Sequence, residues 1–82
     1  MTARSDQSAD PPLRFSDHAL SRMQQRGVTA EDVKWALKRT IDRAPADSGT
    51  VWVHGYASGG KILKVLVPLN DASYVITVAW RG

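Results

Sequence analysis

Apolar positions recur with the period of a helix in the first half of this chain and with that of a strand in the second. Between Asp17 and Arg26, Ala19, Leu20 and Met23 gather toward one side of a 3.6-residue period. Val33, Ala36 and Leu37 repeat at i, i+3 and i+4 after Thr29. From residue 50 onward the spacing becomes two. TVWVHGY (50–56), KILKVLV (61–67) and SYVITVAW (73–80) read as three strands rich in Val, Ile and aromatic residues. A shorter strand is expected around Thr40 to Ala44, terminated by Pro45.

Local signals mark where these elements begin and end. Ser16 or Asp17 can cap the first helix, and Gly27 suits the left-handed position just past Arg26. Thr29 followed by Asp32 is a shortened capping box, with Val28 and Val33 placed to staple the same turn. That helix should run from Ala30 to Lys38 or Arg39. Trp35 lies off its apolar stripe and must cover the helix edge or meet a strand. Gly59-Gly60 and Asn70-Asp71 supply the two hairpin turns, and Pro68 must end its strand or lie at an edge. Residues 1–12 end in Pro11-Pro12, carry no periodicity and read as a flexible tail without function. Residues 13–82 then form a single domain. The expected fold is α+β, with two N-terminal helices packed on one face of a three- to four-stranded antiparallel meander sheet.

Composition narrows the class more than the chemistry. At 82 residues, 43% hydrophobic and 23% charged, the chain suits one small globular domain with a modest core. No apolar run approaches the roughly 20 residues of a membrane span, and the start lacks the apolar middle of a secretory signal. The chain has no cysteine, so there is neither a disulfide nor a thiolate metal site. A cytoplasmic location is expected. The net charge of +3 is concentrated in residues 18–43, where Arg22, Arg26, Lys34, Lys38, Arg39 and Arg43 face only Glu31, Asp32 and Asp42. An acidic partner would meet the protein there.

Candidate chemistry begins with HALSRMQQRG, residues 18–27. On a helix, His18, Arg22 and Arg26 fall at i, i+4 and i+8 and form one stripe. Two fixed cations could hold a phosphate while the imidazole moves a proton beside it. The alternative is a solvated basic face with a half-buried histidine. Lys61 directly follows the Gly59-Gly60 turn and could reach a phosphate, although a solvated strand-end lysine looks the same in sequence. Thr77 lies among Val75, Ile76 and Val78, as a strand former or a ligand contact. His54 shares a strand face with Trp52 and Tyr56, and would be a hydrogen-bonded core residue if that face were covered. Two histidines without HExxH spacing argue against a metal site, and SGGK lacks Walker spacing and precedes a strand rather than a helix.

HALSRMQQRGVTAEDVKWAL, followed by SGGK and YVITVAW, resembles a bacterial family of short domains of unknown function. That family has the form H-A-x-x-R-M-x-x-R-G-[IV]-[ST], then G-G-K, then V-I-T-V. It is grouped with the barnase, EndoU, colicin ribonuclease and RelE-type toxin fold, the BECR fold. The resemblance covers about residues 15–81. It implies a metal-independent ribonuclease without a cofactor, a hydrolase of RNA that is often the toxin half of a toxin–antitoxin pair. An acidic antitoxin or immunity protein is the implied partner beside RNA. Carried over by position, the catalytic candidates are His18, Arg22, Arg26, Lys61 and Thr77. His18, Arg22 or Arg26, and Lys61 are expected to converge on one phosphate-sized concavity. A second proton carrier is not identified, with His54, Tyr56 or a lysine available. The alternative is a non-catalytic nucleic-acid-binding or protein-interaction module of the same fold.

Overall fold

A computed structural model of the chain describes residues 12–81. The expected tail lies outside these residues except for Pro12. The elements in order are β1 (Arg14–Phe15), α1 (Asp17–Arg26), α2 (Ala30–Lys38), β2 (Thr40–Pro45), β3 (Thr50–Tyr56), β4 (Ile62–Pro68), β5 (Tyr74–Val75) and β6 (Thr77–Trp80).

Both helices begin and end where side chains satisfy their free backbone groups. Ser16 caps α1 by accepting the Ala19 amide at 2.9 Å, and Gly27 closes it in the left-handed region at φ 68°. At the start of α2, Thr29 Oγ1 accepts the Asp32 amide and Asp32 Oδ2 accepts the Thr29 amide, each at 3.1 Å. Val28 and Val33 are both buried in the core, as a staple requires. Trp35 carries the Arg39 guanidinium 4.2 Å from its ring centre and so covers the helix edge.

The sheet has the order β2-β3-β4-β6, and every pairing in it is antiparallel. This is the α+β architecture of two helices over an antiparallel sheet. The odd positions of β3 and β4, including Val51, Val53, Leu63, Val65 and Val67, are buried against the helices with Ala19, Met23, Val33 and Ala36. The closest approach is at Gly55. A Cβ there would stand 1.9 Å from the Ala36 carbonyl oxygen, so α2 rests directly on the β3 backbone. Trp52 and His54 point to the other face, which no helix covers among the described residues. His54 is therefore not a core residue of the helix-covered side.

Three local expectations change. The strand expected over 73–80 is broken at Ile76. Leu66 faces Thr77 in register while its carbonyl also accepts the Ile76 amide at 2.8 Å, a two-against-one bulge. The bulge leaves both Val75 and Val78 in the core. Ahead of it, β5 pairs in parallel with β1, Arg14 opposite Tyr74 and Phe15 opposite Val75. The link from β4 to β5 is not a two-residue Asn70-Asp71 hairpin. Two successive turns, Asp71 to Pro68 and Tyr74 to Asp71, carry the chain sideways, and Arg14 pairs with Asp71 across them. The β3–β4 loop closes with Gly60 at φ 90° and Ala57 bonded to Lys61, so only the second glycine needs positive φ.

Candidate functional site

Helix α1 lies along β6, and its direction orders the candidate residues. At its start, the Ser16 hydroxyl donates to the Ile76 carbonyl at 2.7 Å, and the Ser16 amide reaches the Val75 carbonyl. At its end, the Trp80 indole donates to the Arg26 carbonyl at 2.8 Å. The helix thus advances from the bulge to the far end of β6, tied down at both ends.

His18 and Arg22 form the first group. Arg22 Nε donates to His18 Nε2 at 3.4 Å, and Arg22 Nη1 donates to Gln25 Oε1 at 3.2 Å. As an acceptor, Nε2 carries the lone pair that a base uses, and Arg22 occupies it in this arrangement. The imidazole is exposed, and neither side chain contacts a carboxylate among the described residues. A bound phosphate could take over the Arg22 guanidinium without first displacing an acidic partner.

Lys61 belongs to a second group. Its ammonium lies 5.5 Å from the centre of the Trp80 ring, the same ring whose N–H closes the last turn of α1. The neighbouring Ile62 carbonyl accepts the Arg81 amide, so Lys61 stands beyond Trp80 and away from the bulge. The Arg26 side chain is exposed at this end of the helix. No contact among the described residues joins this group to His18.

Thr77 lies at the start of β6, half-buried, and next to Val78, which faces the core. Strand alternation turns its hydroxyl to the uncovered face, away from Trp80 and Lys61. That face also holds Asp42, His54 and Lys64 in one cross-strand row, with the Lys64 ammonium 5.3 Å from the Trp52 ring centre. His54 Nδ1 is buried there without a hydrogen-bond partner among the described residues. A shallow cleft lined by Arg43, Pro45, Ala46, Val51 and Leu69 contains none of the candidates.

Trp80 is the residue that the sequence reading passed over. At the end of an apolar strand it reads as core, and it does pack against the core. Only the 54-residue reach to Arg26 shows that its N–H serves the helix end. Asp32 is a second omission. Besides capping α2, it accepts the amide and the hydroxyl of Ser58, and so ties the helix to the β3–β4 loop that precedes Lys61. Burial pushes the Asp32 carboxyl up, but the hydrogen bonds from Ser58 and Thr29 together outweigh this and hold it below its ordinary value.

Among the described residues, no three His, Cys, Asp or Glu side chains gather as a metal site, and no helix is long and apolar enough to cross a membrane. No curated protein and no solved structure matches the chain. Residues 15–80, from Phe15 on β1 to Trp80 at the end of β6, match the family described as "Domain of unknown function (DUF4258)", and the chain belongs to that family.

Proposed function

We propose that this protein is a metal-independent ribonuclease of the toxin type, related to the barnase, EndoU, colicin ribonuclease and RelE fold group. It acts on RNA in the cytoplasm and is restrained by an acidic antitoxin or immunity protein. The observation that carries this reading is the His18–Arg22 pair, a hydrogen-bond-accepting imidazole against a guanidinium with no carboxylate partner among the described residues. When Arg22 turns from His18 to the phosphate, the freed His18 Nε2 removes the 2′-hydroxyl proton as the 2′-oxygen attacks the adjacent phosphorus. The P–O5′ bond breaks, the 5′-oxygen takes a proton from water and leaves as an alcohol, and a 2′,3′-cyclic phosphate remains. Arg22 faces the negative charge that grows on the phosphoryl oxygens, where a pre-placed cation is most effective. Two helices ahead of a four-stranded antiparallel sheet with one open face support the fold grouping.

The test is cleavage of matched RNA oligonucleotides with and without a 2′-hydroxyl at the scissile position, in the presence of EDTA. Cleavage should require that hydroxyl and leave a cyclic phosphate. His18→Ala should lower turnover by about 10² to 10⁴ while RNA affinity changes little, as for removal of a proton-transfer group. Tight binding with no cleavage at any position would replace this reading with the nucleic-acid-binding module. The Lys64–Trp52 pair on the open face gives that second reading a base-stacking platform.

A further inference from the structure

The basic stripe extends along α1. His18 and Arg26 are eight residues apart on α1, a span of about 12 Å at about 1.5 Å per residue. His18 sits two residues after Ser16, which bonds to the bulge, whereas Lys61 is held on Trp80 at the opposite end. Trp80 has two roles there. Its N–H takes up a carbonyl of the last helical turn, an otherwise unsatisfied group carrying the negative end of the helix dipole. Its ring positions the Lys61 ammonium beside that turn, which also bears the exposed Arg26. A helix end that would repel an anion thereby becomes a cationic platform.

We infer that Lys61, on its Trp80 platform and with Arg26, is a second phosphate station, separate from the His18–Arg22 pair and further along the strand. This rests on the ribonuclease reading and deepens it. The substrate is an oligonucleotide laid along α1, and a dinucleotide reaches only the first station. Trp80 is a positioning residue, since it holds Lys61 and never meets the reacting atoms.

A length series separates the two ideas. Affinities of 2′-deoxy oligomers of two, four, six and eight nucleotides, which cannot be cleaved by 2′-oxygen attack, are measured at several salt concentrations. Lengthening from two to six nucleotides should tighten binding about tenfold, the worth of one hydrogen-bonded charge contact. In Lys61→Ala that gain should fall to about twofold or less, with the salt slope for the six-nucleotide probe smaller by about 0.7. Trp80→Phe, which keeps a ring but loses the N–H, should lose part of the gain, and a melting curve checks that it is folded. Lys61→Ala is exposed and carries the test alone if Trp80→Phe fails to fold. A wild type without a length gain, or a Lys61→Ala protein that retains it, overturns the second station even if RNA is cleaved. Absence of cleavage with the length gain intact overturns the ribonuclease reading and leaves the station standing.

Discussion

Replacing Asp32 with alanine removes one carboxylate that serves two parts of the fold. Asp32 is 8% exposed and accepts the Thr29 amide at 3.1 Å, the Ser58 amide at 3.2 Å and the Ser58 hydroxyl. The Asp32 amide still reaches Thr29 Oγ1 in the variant, so half of the capping box survives. A hydrogen bond to a charged group is worth about 1.5–3 kcal/mol. Thr29 and Ser58 are themselves exposed, so water recovers part of what is lost, and the three bonds do not add. A net cost of about 2–3 kcal/mol follows. A domain of 82 residues has a total stability of about 4–12 kcal/mol. The melting temperature should therefore fall by about 10–20 °C, at about 4–8 °C per kcal/mol in a domain this small. Urea and thermal unfolding at neutral pH, followed by circular dichroism, measure the loss. A double-mutant cycle with Ser58→Ala should give a coupling of about 1 kcal/mol or more, as for residues in direct contact. A loss below about 0.5 kcal/mol, within the range of ordinary surface changes, would refute the claim that Asp32 holds the loop to α2.

Gly55→Ala should destabilise by more than the about 1–3 kcal/mol of common overpacking, because its Cβ meets backbone at 1.9 Å and α2 must lift as a whole; chemical denaturation reads the loss, and near-native stability would show that the helix does not sit on β3. Thr29→Ala should cost about 1 kcal/mol in the same assay and leave RNA affinity unchanged, since the cap lies on the helix that carries neither phosphate station. Asp32 and Asp71 are both held below the ordinary carboxylate value, Asp71 by the Ser73 hydroxyl first and by Arg14 next. Their stabilisation is complete above the unfolded value near 3.9 and disappears as pH falls through the lower folded values. The wild type should thus lose stability as pH falls below about 4, and Asp32→Ala should show a shallower decline there; equal slopes would contradict the assignment.

What the sequence determined by itself was local. The caps at Ser16 and Thr29, the stop at Gly27 and the two helix periods each depend on residues within about four positions of one another, so short-range chemistry decides them. The strands of β3 and β4 were legible in the same way, as was the sense of their pairing through a short Gly-Gly loop. The His18–Arg22 contact followed from helical spacing alone. Tertiary structure decided the rest. Alternation in TVWVHGY separates Val51 and Val53 from Trp52 and His54, but both sets can face a core, and only the packing of α2 on Gly55 settles which does. The β1–β5 pair joins positions 60 residues apart through backbone groups that leave no side-chain pattern. The placement of Lys61 depends on Trp80, and that of Trp80 on a carbonyl 54 residues away. Contacts of that kind are closed by the three-dimensional meeting of elements whose own sequences are complete without them, and periodicity carries no record of such a meeting.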